Sequence, residues 1–425
     1  MSSEWQRAKV AQLQSEGALL VEDGNHGEYR PRSDEFGSRG MAFIRAADMD
    51  SGRVLFDTAE KINEVAVARI RKGIGCPGDV LLSHKGTVGK VAIAPLNAPP
   101  FVCSPQTTFW RVRDSDRIDR SYLFAYLRSQ EFREQLAARK GETDMADYVS
   151  LTAQRELVVL LPDIQTQRAI GHIVAALDDR IALLRETNAT LETIAEALFK
   201  SWFVDFDPVR AKAEGRDPVG IDAETAALFP GGFVETELGL VPIGWEVGRL
   251  EDLLVLQRGF DLPNANRVPG AYPIIAASGP AGTHVSPMVK GPGVVTGRSG
   301  VLGRVYFEID DFWPLNTTLW IKDFRGATPC YAYELLKTID LHSFNAGSAV
   351  PTLNRNHVHG LKQLVPNRAC VEKYEAIAMT LHERMRANAA HSESLAEIRD
   401  ALLPRLISGR IEVSKSSRVS EESPQ

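Results

Sequence analysis

Two short stretches carry residue types suited to holding a nucleic-acid backbone. His84-Lys85-Gly86-Thr87-Val88-Gly89-Lys90-Val91 and Gly297-Arg298-Ser299-Gly300-Val301-Leu302-Gly303-Arg304-Val305 share a pair of glycines flanked by cations. Glycine lets a backbone approach a phosphate closely, and Lys85, Lys90, Arg298 and Arg304 would neutralise its charge. Turn geometry alone would also account for the glycines, so the weight falls on the cations and on their repetition. Neither stretch is a nucleotide-binding P-loop, which needs four residues between its Gly and Gly-Lys-Ser/Thr. Downstream of each lies an amide–hydroxyl run, Gln106-Thr107-Thr108 and Asn316-Thr317-Thr318. Gln and Asn can read adenine in the major groove, and capping of a loop is the alternative use. The expected DNA contacts are thus Lys85, Gly86, Gly89, Lys90, Gln106 and Thr107, and, in the second copy, Arg298, Ser299, Gly300, Gly303, Arg304, Asn316 and Thr317.

Bond-making chemistry has no comparable signature. Asn97-Ala98-Pro99-Pro100-Phe101 is similar to the active-site tetrapeptide of amino-methyltransferases, but Ala98 stands where that motif has Asn, Asp or Ser. No lysine has an acidic residue two positions before it, which removes the common metal-dependent nuclease pattern. The histidines are dispersed, and no Ser-His-Asp grouping follows from spacing. Cys76, Cys103, Cys330 and Cys370 form no CxxC pair, so neither zinc nor a disulfide framework is indicated. No apolar run approaches the roughly 20 residues of a membrane span, and the first residues lack a secretory signal. A cytoplasmic, non-catalytic chain without a metal is expected.

Charge is distributed unevenly. The 425 residues carry a net −6, which by itself argues against a nucleic-acid partner. Yet no acid occurs from Leu81 to Arg113, from Leu262 to Phe307, or from Leu341 to Val371, while lysines and arginines occur in all three. Strand-rich segments hold few charges of either sign, so the retained cations favour two nucleic-acid footprints on an acidic body.

The elements that must position these loops are set by one stretch used twice. After Pro162, apolar residues recur at Ile170, Ile173, Leu177, Ile181, Leu184, Leu191, Ile194 and Leu198, the spacing of a helix packed along a coiled-coil seam. A shift of 204 positions sets Pro162 on Pro366, Ile173 on Ile377, Leu177 on Leu381, Ile181 on Met385, Leu191 on Leu395, Ile194 on Ile398 and Leu198 on Leu402. Asn188 and Ser392 are the equivalent polar seam positions. Each helix would span roughly 55 Å at about 1.5 Å per residue. Phe199, Trp202, Phe203 and Phe206 crowd the end of the first helix, either closing onto a globular body or offering a docking patch to a partner chain.

The bodies repeat as well. Trp5, Val10 and Leu13 are answered by Trp245, Leu250 and Leu253, and PQTTFW (105–110) by LNTTLW (315–320). The expected division is a body over 1–160, a helix over 161–206, a loop-rich connector over 207–243, a second body over 244–365, a second helix over 366–410 and a disordered tail over 411–425. The fold class is α+β: two similar α/β bodies separated by two long antiparallel coiled-coil helices, in a pseudo-twofold duplication. Two basic bodies on such a rod would touch DNA sites one or more turns apart, a turn being about 34 Å.

The strings DIQTQRAIGHIVAALDDRI, ALFKSWFVDFDPVRAKAEGRDP and ETAALFPGGF resemble the specificity (S) subunit of type I restriction–modification systems. The resemblance runs from Trp5 to Ile411. It implies two target-recognition domains, each reading half of a bipartite double-stranded DNA site, and helices that dock two methyltransferase (M) subunits. It further implies that those partners bring S-adenosylmethionine, that two restriction (R) subunits using ATP and Mg can join, and that this chain binds no cofactor itself. A single-chain modification enzyme and a coiled-coil scaffold without a DNA role are the alternatives.

Overall fold

A computed structural model describes residues 5–140, 147–344 and 352–413. The chain divides into two compact units, one of residues 1–182 with 392–425 and the other of 183–391. Of the expected tail, residues 414–425 lie outside the described residues. No helix among the described residues is long and apolar enough to cross a membrane.

Each unit is built by the same sequence of pairings. In the first, strand Gln6–Lys9 pairs antiparallel with Val158–Leu161; in the second, Glu246–Arg249 pairs with Lys362–Val365. Gln6 faces Leu161 and Glu246 faces Val365, so the pairing brings the start and end of each body together at the same register. A sheet follows whose strands come in the same order: 19–23, 107–112, 80–83 and 91–93 in the first unit, 255–258, 318–323, 293–297 and 305–308 in the second. The first unit extends that sheet with 53–54 and 49–50. A second small sheet in each unit holds one parallel pair, Phe101–Cys103 with Met41–Ile44 and Ile274–Ile275 with Trp313–Pro314.

The first core lies between the larger sheet, helix Arg120–Leu127 and the roots of both long helices. Trp110, Tyr122, Tyr126 and Phe132 are buried there with Ile170, Val174, Leu403, Leu406 and Ile407. Gly171 allows this close packing, because a Cβ there would sit 2.8 Å from the Tyr122 backbone nitrogen. The second core repeats the plan, with Tyr331 and Leu336 meeting Phe199, Trp202, Phe203, Val371 and Tyr374.

The long helices run from Ile164 to Phe203 and from Arg368 to Ile407. Asp163 caps the first, its carboxylate accepting from Thr166 N at 3.1 Å. They are antiparallel: Asp178 meets Arg399 in the first unit, while Asn188 meets Asn388 and Ala195 meets Tyr374 in the second. Of the expected seam, Ile181 and Leu184 are buried, whereas Ile173, Leu177, Leu191, Leu198, Ile377, Leu381, Met385, Leu395 and Leu402 are half-buried. Ile194 and Ile398, which fit the same spacing, are 47% and 48% exposed. The fully buried stripe is instead turned toward the body at each root, since these helices serve a globular core as well as each other.

Two further expectations are corrected. The connector is folded rather than loop-rich: helices Asp207–Ala213 and Ala223–Ala227 precede a hairpin of Phe233–Thr236 with Gly239–Pro242. Lys212 Nζ donates to the Ala226 carbonyl at 3.2 Å, tying the two helices, and Val209 and Phe229 enter the second core. The Phe199, Trp202 and Phe203 side chains are 3%, 1% and 7% exposed within that core, and Phe206 packs against it. They are therefore core, not an exposed docking patch; the apolar end of the helix is the floor on which the second body is built.

Candidate nucleic-acid interface

The two glycine turns join neighbouring antiparallel strands, Val80–Ser83 to Val91–Ile93 and Gly293–Gly297 to Val305–Glu308. Gly86 and Gly300 have φ of 78° and 92°, a region that a side chain disfavours. The backbone scheme around them is the same. His84 N donates to Gln106 O at 2.9 Å and Arg298 N to Thr317 O at 2.8 Å. His84 O accepts from Val149 N at 2.9 Å, and Arg298 O from Leu353 N at 2.8 Å. Lys85 bridges to Tyr148 as Ser299 bridges to Thr352.

The cations differ in what already holds them. Lys85 is exposed, its ammonium 5.9 Å from the Tyr148 ring centroid. Arg304 is exposed and makes one long contact, 3.4 Å to Ser278 O. Lys90 donates to the carbonyls of Ala46 and Met49 at 3.1 and 3.2 Å, so it closes a neighbouring turn. Arg298 is half-buried and donates to Asn316 O at 3.3 Å. Lys85 and Arg304 are thus the freer charges.

The amide–hydroxyl runs are corrected in two respects. Thr107 is buried and its hydroxyl donates to Ser104 O at 3.0 Å, so it is closed to a base edge. Moreover, its counterpart is Thr318, whose hydroxyl donates to Leu315 O at 2.7 Å, and not Thr317. Thr107 faces Ser83, and Thr318 faces Gly297. Setting PQTTFW on LNTTLW is therefore one residue out. In a strand such a shift reverses every side chain: Trp110 packs in the first main core, while Trp320 lies on the opposite face, as Phe109 does. Gln106 is exposed, Thr317 accepts from Ala277 N at 3.3 Å, Asn316 donates to the Asp261 carboxylate, and Ser299 is half-buried.

Sequence reasoning passed over residues around the first turn. His84 is 2% exposed; its Nδ1 lies 3.0 Å from Val149 O, and its Nε2 lies 3.7 Å from Asp23 Oδ1. Burial holds its pKa below the ordinary histidine value, against the pull of Asp23. Arg30, Arg39 and Lys72 are exposed elsewhere in the first unit and have no ion pair among the described residues. Acids accompany them in the sequence, so they lie outside the acid-free stretches. One of those acids, Glu35, is consumed internally: Arg69 Nη1 donates to it at 2.9 Å and holds its carboxyl down at about 2.

Residues 25–193 match the model of the type I restriction modification DNA specificity domain. The chain is 26% identical over 359 residues to the HindI specificity subunit of Haemophilus influenzae, spanning 68% of this chain and 77% of that one. It is 22% identical over 382 residues to the MjaIX specificity subunit of Methanocaldococcus jannaschii, spanning 83% and 82%. In fold it is similar to a crystal structure of a type I S subunit from M. genitalium, with a TM-score of 0.59, 14% identity, and coverage of 95% and 96%.

Proposed function

We propose that each body reads one half of a bipartite DNA target while the long helices dock methyltransferase subunits of the same system. The observation that carries this reading is the glycine turn, built twice with the same backbone scheme around His84 and Arg298. Lys85 and Arg304 hold phosphates, which fixes the register of each body on the duplex, and loop side chains including Gln106 and Asn316 read base edges. Two M subunits supply S-adenosylmethionine and methylate adenine N6, which requires the base to leave the stack at a cost of a few kcal/mol. Two R subunits, driven by ATP and Mg, complete the assembly in the cytoplasm.

The test is base-resolution mapping of N6-methyladenine in cells carrying this chain with its M subunit. A two-part motif with an unread spacer is expected, and replacing residues 1–160 with those of another family member should change only one part. A motif that changes at both ends after the exchange would refute the division of labour. One added heptad in each helix should lengthen the spacer; an unchanged spacer would refute the role of the helices as a ruler.

A further inference from the structure

The second unit contains a cleft of about 860 Å³, walled by strand Val305–Glu308, helix Pro329–Thr338 and both long helices. Its lining is rich in hydrogen-bond acceptors and aromatic rings. Glu192, Glu308, Asp310 and Asp311 contribute carboxylates, against the single guanidinium of Arg386, which pairs with Asp310. Tyr306, Phe307 and Tyr333 contribute rings.

Two groups in this cleft lack partners. His382 is 8% exposed and stacks on Phe307 with ring centroids 4.2 Å apart, yet its Nε2 has no hydrogen-bond partner. Burial holds this imidazole down to about 4, so it is neutral and can accept a hydrogen bond through Nε2. The Glu308 side chain has no hydrogen bond or ion pair among the described residues, and burial beside Asp310 pushes its carboxyl up to about 7. Buried polar groups are ordinarily satisfied, so a histidine acceptor and a carboxylate left open in one cleft mark the place of a missing donor.

The first unit shows what fills the equivalent place. Asp178 stands where the second helix has His382, by the same shift of 204 positions. It accepts from Arg128 Nη2 at 3.2 Å and from Arg399 Nη1 at 2.7 Å. The counterpart of Arg399 in the second unit is Ala195, and that of Arg128 is Lys337, which is engaged by Glu334 and Glu196. The pair of arginines that meets Asp178 in one copy thus has no counterpart at His382 in the other, where Arg386 and Lys337 are already engaged by other carboxylates.

We propose that the cleft between Glu308, Asp310, His382 and Tyr333 binds a linear polyamine, a flexible chain carrying several protonated amines. Ammonium groups would donate to the Glu308 carboxylate and to His382 Nε2, and the rings would face the cationic methylenes. Carboxylates spread along the cleft suit several charges on one chain better than one compact ion. No three His, Cys, Asp or Glu side chains among the described residues converge to hold a metal. The inference stands apart from the reading of DNA and does not rest on it.

Calorimetric titration of the full chain with spermidine, without DNA, tests it. One saturable site is expected, weakened about tenfold or more by Glu308→Gln, consistent with loss of one ion pair, and weakened also by Asp310→Asn. Asp217→Asn, which removes an exposed charge outside the cleft, should leave binding unchanged. The proposal is overturned if spermidine shows no saturable binding or if the three variants bind alike. It is overturned equally if acetyl-arginine amide binds at this cleft and spermidine does not.

Discussion

Asn388 Nδ2 donates to Asn188 Oδ1 at 2.9 Å, and Asn188 Nδ2 in turn donates to the Met385 carbonyl at 2.9 Å. The pair is the polar joint of the helix contact in the second unit. Asn388→Ala should destabilise that unit by about 1–3 kcal/mol, because Asn188 Oδ1 is left without its donor. Replacing both by Leu should recover part of the loss while relaxing the register. Urea unfolding of the single and double variants gives the coupling directly; strict additivity would show that the bond contributes nothing.

Lys85 and Lys90 flank the same turn but should behave differently. Lys85→Ala is expected to weaken binding to all duplexes alike and to lower the slope of log K against log salt by about 1. Lys90→Ala should chiefly lower the melting temperature, because its ammonium closes the turn at Ala46 and Met49. Salt titrations of the complex with its M subunit, beside thermal melts, separate the two effects.

Trp202 is 1% exposed and stacks edge-on against Phe229 with centroids 5.1 Å apart. Trp202→Ala should cost about 3–5 kcal/mol, the usual penalty for emptying an aromatic core site. The measurement is calorimetric unfolding. Weakened assembly with M subunits at unchanged stability would restore the docking role that burial removes.

Glu308 makes stability depend on pH with a definite sign. Its folded carboxyl is raised to about 7 from an ordinary 4.5, so the folded state holds the proton longer than the unfolded chain. Stability is then fully present below the unfolded value and is lost as pH rises through 7. Asp310 and Arg386 face the same cleft. Against Glu308→Gln, the wild type should lose stability steadily between about pH 4.5 and 7 in urea titrations, and parallel curves would contradict the assignment.

Much of this architecture was legible in the sequence because it is written at long range and twice. Pro162 and Pro366, and Trp5 and Trp245, mark the same joints in both copies. What failed was local. The TT of PQTTFW matches the TT of LNTTLW in sequence, whereas strand pairing makes Thr107 equivalent to Thr318. Two adjacent threonines look alike in either register, and only the partner strand decides between them. The aromatic cluster from Phe199 to Phe206 was ambiguous for a related reason: apolar residues at a helix end have the same composition whether they face a core or a partner. The acceptors of the unpaired cleft, Glu308 and His382, lie on separate elements and share no sequence spacing that could announce them.

The division of the chain has a consequence for its biosynthesis. The second unit is one continuous run, residues 183–391, whereas the first needs residues from 392 onward, including Leu403, Leu406 and Ile407 of its core. The ribosome delivers the bulk of the first body before the second but withholds these closing residues until the second body has been made. The order of maturation is therefore the reverse of the order of synthesis for the two bodies. A premature stop shortly after His391 would damage the domain made first and spare the one made last.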